Sequence, residues 1–449
     1  MERPWLPFWK ISYKPLNKTA QQYTVARLTD FEAMLAQSVE YKMFPSVLIS
    51  NVFGVLFHHS HHLQTDSLTT PSTSKSSISR TMKPSTFSIL AGVVSITTTA
   101  NGAQNDAEGV WNEAQLSYEK FTEEFLANAT ASNVLQQGKY ARLEYIRAVK
   151  CLYSLPSTTD PLAAPGAKTR VDDFVYSHIN QTNFVHGSGI FLPWHREFMW
   201  LYENALYDEC DFKGTGVPYW DWFLHTDDQA SSPVFDSGPA GFGGNGLYIP
   251  HEASNDTLVD VPGPVWVDRD AGTGGGCVVG GAFANLILSL GPVVPADTPA
   301  DDPYGLKGNP RCLKRDFLQP QSSAHLTFQQ AADLLETTTY AEFRAAIDQD
   351  EMHPASHKFL GADGYDWYSS PNDPVFFLLH SQVDRIWSIW QAQDYHTRTN
   401  QVGGTVTFRN TPPSANATLA TVLHMLTAGP DVLFGETVSP LENYCYRYV

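Results

Sequence analysis

The stretch HGSGIFLPWHREF, residues 186–198, sets two histidines nine residues apart around a Gly-Ser-Gly turn and a short apolar run. His178 precedes them in DDFVYSHINQ, and a second group, His353, His357 and His380, lies in EMHPASHKFL and FFLLHSQVDRIW. A single histidine is more often a hydrogen-bonded core or surface residue than a ligand. Two groups of three, each beside aromatic and Pro-rich segments, are hard to explain as core filling. Imidazole ligands without thiolates suit Cu, Zn, Fe or Ni, and spacing alone does not choose among them.

The histidines sit in a chain whose periodicity is mainly helical. Residues 138–153 carry apolar side chains at helical spacing (Tyr140, Leu143, Ile146, Val149). A helix with proline in its first turn is expected from Pro193, others over 327–336 and 340–349, and a strong one running on from PNDP at 371–374. Pro354 disfavours the helical region for the residue before it, so His353 belongs at a helix start with His357 one turn in. Residues 226–322 are rich in Gly, Pro and Asp without clear period and read as long surface loops. The class is mainly α, with a helical core, long Gly/Pro-rich loops and little β.

The formal net charge of −18 argues against nucleic acid and anionic membrane as partners, because phosphate binding needs a basic footprint. No apolar run of about 20 residues predicts a membrane span. From Met82 the chain reads MKPSTFSILAGVVSITTTANGA, a secretory signal pattern over 82–103 in the interior of the sequence. Residues 1–81, which hold HHSHH and a Ser/Thr run, are expected to be a disordered extension outside the folded protein. HHSHH has no cysteine near it and is not read as a metal site. Secretion fits the Asn-x-Ser/Thr acceptors at Asn128, Asn180, Asn255 and Asn416. It also fits five cysteines without CxxC spacing, read as disulfides with one thiol left over and Cys277–Cys312 as the first candidate pair.

Taken together, HGSGIFLPWHREF, PYWDW (218–222), HPASH, SPNDPVFFLLHSQVDRIW (370–387) and YCYRY (444–448) resemble the type-3 copper proteins, the tyrosinases, catechol oxidases and their short fungal relatives. The resemblance runs from about Leu143 to Tyr448. It implies an antiparallel four-helix bundle over 104–449 that holds two copper ions. CuA would be held by His178, His186 and His195, and CuB by His353, His357 and His380. It also implies O2 and a small phenol as partners, and YRY marks the end of the family's catalytic domain, so a C-terminal lid is not expected.

Departures from the family pattern bear on activity. Leu379 stands where a histidine is common, and Phe184 where many relatives have a thioether-forming cysteine. Asp348 matches a family Glu that holds a water, Pro354 replaces an Asn frequent in hydroxylating members, and Trp367 falls at a gate position. The resemblance therefore implies oxidation of o-diphenols or o-aminophenols with weak or no monophenol hydroxylation. The alternatives are a full tyrosinase, a haemocyanin-like O2 carrier and, from another class, a zinc hydrolase. If the signal reading holds, N-terminal sequencing of secreted protein will find a start near Ala103; HHSHH in the active product would contradict it.

Overall fold

The computed structural model describes residues 10–12, 94–126, 138–262, 266–293, 301–350 and 352–448. Most of the expected 1–81 extension and the first part of the signal-like segment lie outside these residues. From Thr98 onward, with Lys10–Ser12, the chain forms one compact unit. Its helices are α1 (Val94–Leu126), α2 (Lys139–Ser154), α3 (Arg170–Val185), α4 (Phe191–Cys210), α5 (Gln319–His325), α6 (Phe328–Glu336), α7 (Tyr340–Ala345), α8 (Met352–Leu360) and α9 (Val375–Ala392), besides two single-turn helices. Strands are short and pair only as two-stranded ladders among the described residues. One of these joins Lys10–Ser12 antiparallel to Tyr446–Tyr448.

The class is mainly α, as expected, and helix α4 packs on α2, α3 and α9. In α9 every residue from Val375 to Gln391 is buried, so its apolar side chains face the core on all sides rather than along one stripe. The helix is started by Asp373, whose Oδ1 accepts the Val375 N–H at 2.9 Å. Arg315 pairs with the same carboxylate at 2.7 and 2.8 Å. Helix α3 begins with a capping box, Thr169 and Asp172 exchanging side-chain-to-backbone hydrogen bonds.

Three local readings are corrected. The helix expected from Pro193 starts two residues earlier, at Phe191, with FLPW as the first turn of α4. The helix expected over 340–349 ends at Ala345 and passes into a π-helical turn, Ala346–Asp350. The 226–322 region is not loop alone: it carries short ladders, such as Gly246–Tyr248 with Gly275–Val278. It is tied down by the Cys277–Cys312 disulfide. A second disulfide, Cys151–Cys210, joins α2 to the end of α4.

The helix pair at the centre is locked by a buried charge cluster. Arg196 on α4 donates through Nε to Asp384 Oδ1 on α9 at 2.6 Å, and both side chains are nearly inaccessible. Its other nitrogens reach the Thr437 and Val438 carbonyls, Ser388 and Gln391, and its plane lies 3.6 Å from the Trp387 ring centroid. Asp384 Oδ2 accepts from the hydroxyls of Tyr446 and Tyr448. A second pair joins Arg385 of the same helix to Asp221 of the PYWDW segment at 3.3 Å. Asp384→Asn leaves a buried guanidinium unbalanced, a loss of about 3–5 kcal/mol. Denaturant unfolding of the metal-free protein checks this, and a change below about 1 kcal/mol would show that the cluster does not hold α4 to α9.

Candidate metal centre

Four helices deliver the six histidines. His178 stands in α3, and His186 is the extended residue that caps the end of the same helix. His195 lies in α4, His353 and His357 lie one turn apart in α8, and His380 lies in α9. All six are buried. The structure brings them together as the two expected groups, with the nitrogens of each group within 4.8 Å of one another.

Backbone carbonyls orient the rings. His178 Nδ1 lies 2.7 Å from the Tyr368 carbonyl, His186 Nδ1 3.1 Å from that of Thr182, and His195 Nδ1 2.8 Å from that of Phe191. His357 Nδ1 is 2.7 Å from the Gly364 carbonyl. A carbonyl only accepts, so each of these Nδ1 atoms carries the proton and each Nε2 presents a lone pair. His353 and His380 lack such an acceptor: their buried Nδ1 atoms have no hydrogen-bond partner. Packing fixes them instead. His380 stacks on His195 with centroids 4.3 Å apart and planes at 6°, and His353 lies 4.7 Å from Phe191. Phe376 sits 4.2 Å from His380 and 5.2 Å from His178, touching both groups.

This donor set fits a cation. The Nε2 atoms of His178 and His195 are buried without a hydrogen-bond partner. His357 Nε2 stands 3.1 Å from His353 Nε2 and 3.4 Å from His380 Nε2. Lone pairs converging in a dry site are costly unless something positive lies between them. Burial lowers all six pKa values, to about 3 for His178 against the pull of the Tyr368 carbonyl, and to about 4 for His357 against that of Gly364. The rings are therefore neutral at pH 7, the form that binds a transition metal.

Asp348, Pro354 and Trp367 line one pocket with His186, His353 and His357. The π-helical turn aims Asp348 into it. Its Oδ2 accepts the Gly187 N–H at 2.7 Å, with Arg344 3.7 Å away and His353 Nδ1 3.8 Å from Oδ1. Burial pushes the carboxyl up to about 7, against the opposing pull of Arg344 and the Gly187 amide. The Trp367 ring lies 5.8 Å from His186, edge-on, and 5.8 Å from Phe408. Phe184 is exposed and Leu379 buried. Sequence reasoning missed Phe191, Phe376 and Thr182; the first two were visible as aromatics flanking the histidines.

The common central domain of tyrosinase matches residues 168–393. The tyrosinase-like protein orsC of Emericella nidulans is 41% identical over 283 residues, 60% of this chain and 75% of that protein. Tyrosinase P of Aspergillus terreus is 35% identical over 318 residues, 68% of this chain and 88% of its own length. A variant polyphenol oxidase from Thermothelomyces thermophila superposes with a TM-score of 0.68 at 36% identity, covering 77% of this chain and 98% of that one. If each histidine group holds one copper, His195→Ala and His380→Ala will each lose about one copper per chain and nearly all oxidase activity. Metal analysis of the purified variants decides it, and a variant that keeps full copper contradicts the assignment.

Proposed function

The chain belongs to the tyrosinase family of dicopper oxidoreductases, and on that premise we propose that it oxidises o-diphenols or o-aminophenols to o-quinones or quinone imines, with weak or no hydroxylation of monophenols. His178, His186 and His195 would hold one copper, and His353, His357 and His380 the other. When bound, the pair would supply the redox chemistry by which O2 takes four electrons, two from each of two substrate molecules, and ends as two waters. The protein's part is to keep six imidazoles neutral and oriented, to exclude water with Phe191 and Phe376, and to admit a flat ring past Trp367.

The observation that carries the diphenol preference is that Asp348 shares its pocket with a proline, Pro354. A monophenol has a pKa near 10 and must lose its proton to bind a metal as phenolate; some base must take that proton at neutral pH. Pro354 has no side-chain donor with which to fix a water beside Asp348 in the pocket that both line, so the carboxylate lacks an oriented water through which to take the phenol proton. A catechol is more acidic and needs no oxygen inserted. Secretion and a mature start near Ala103 belong to the same reading, supported by the 82–103 pattern and by the exposure of Asn180, Asn255 and Asn416; that start would remove the Lys10–Ser12 strand and the first turns of α1.

The wild type is expected to turn over a catechol at least about tenfold faster than the matching monophenol, about 1.4 kcal/mol in barrier. Pro354→Asn is expected to raise the monophenol rate. Comparable wild-type rates would overturn the preference, and an unchanged Pro354→Asn would remove this explanation for it.

A further inference from the structure

The segment 404–417 folds back over the residues that follow His186. Gly189 N–H donates to the Thr405 carbonyl at 2.7 Å, and Arg409 N–H to the Gly187 carbonyl at 2.9 Å. Phe408 lies edge-on to Trp367 at 5.8 Å. It packs so closely on Gly187, whose φ is +57°, that a Cβ there would stand 3.0 Å from its ring. Arg409 and Asn410 then take φ of 47° and 56° in succession, a left-handed pair that asparagine tolerates and arginine seldom adopts. The turn is over-determined. Asn410 N–H reaches Thr407 O at 3.0 Å and Thr411 N–H reaches Phe408 O at 2.8 Å, while Asn410 Oδ1 accepts the Ser414 N–H at 2.9 Å. Strain retained beside a reaction site, where the surroundings hold it in place, marks a position selected for where it puts a side chain.

The side chain so placed is a cation. Arg409 is exposed, rests its guanidinium 5.2 Å from the Phe408 ring centroid, and makes no ion pair among the described residues. It lies near enough to the pocket for its charge to pull on the Asp348 carboxyl. On a chain with a net charge of −18, an exposed cation on the loop whose Phe408 packs against the pocket residue Trp367 has a defined ligand chemistry. We infer that Arg409 is a specificity-determining residue that favours phenolic substrates bearing a carboxylate remote from the ring hydroxyls. Guanidinium and carboxylate match in geometry as well as charge. The inference rests on the oxidase reading above and adds the class of phenol to it.

The test uses the copper-loaded full chain and two catechols, 3-(3,4-dihydroxyphenyl)propionate and neutral 4-methylcatechol. The measured quantity is the ratio of their kcat/KM values. Arg409→Asn removes the charge and keeps a residue that tolerates the left-handed region; its ratio is expected to fall about fivefold, mainly through KM of the acid, as for loss of an exposed ion pair. Arg409→Lys keeps the charge and is expected to stay within about twofold of the wild type, and added salt is expected to lower the wild-type ratio. A ratio unmoved in Arg409→Asn, or lowered equally in Arg409→Lys, overturns the assignment while both catechols still turn over. A wild type that oxidises neither catechol refutes the oxidase reading itself, and this proposal with it.

Discussion

Four imidazoles at the centre of this protein each commit an Nδ1 proton to a backbone carbonyl, and the rest of the site follows from that commitment. It fixes the tautomer, turns each Nε2 lone pair inward and lets neutral rings crowd together where charged ones would repel. The two groups are not equivalent. All three rings of the first are held by carbonyls, whereas in the second only His357 is, and His353 and His380 rely on Phe191, Phe376 and the stack against His195. The first site is thus held by carbonyls of α3, of the start of α4 and of Tyr368, and the second depends on how α8 and α9 sit against Phe191 and Phe376.

The packing of α4 on α9 is secured by charge in a place where charge is expensive to bury. Arg196 follows His195 directly, and Asp384 lies one turn after His380, so their ion pair ties together the two ring-bearing turns that stack on each other. Tyr446 and Tyr448 complete the hydrogen bonding of Asp384, which makes Tyr446–Tyr448 part of the apparatus that sets how the two ring-bearing helices face each other. A purely apolar contact of the same area would tolerate sliding; a cluster with fixed donors and acceptors defines one register.

Much of this was legible in the sequence. Helical spacing placed α2, α6 and α9, proline placed the starts near Pro193 and PNDP, and the histidine spacing separated the two groups that the fold brings together. What was not legible has physical causes. The acceptor for His178 is the carbonyl of Tyr368, 190 positions away, and a carbonyl belongs to every residue alike. Asp384, Arg385 and Asp221 read more readily as solvated charges, because a buried ion pair and an exposed one use the same letters. Asp348 reaches the pocket from a π-helical turn, which leaves no mark in a pattern counted at 3.6 residues per turn. The Cys151–Cys210 disulfide depends on the packing of α2 against α4, which spacing does not supply.

The central claim is that two copper ions sit close enough in these triads to act on one O2 molecule. Electron paramagnetic resonance of the resting, copper-loaded protein tests it most directly, because two d⁹ ions joined by a small bridging ligand couple their spins and lose their signal. The account predicts two coppers per chain by chemical analysis, with a spin count that is a small fraction of that amount. A spin count equal to the copper content would mean isolated ions and would contradict it.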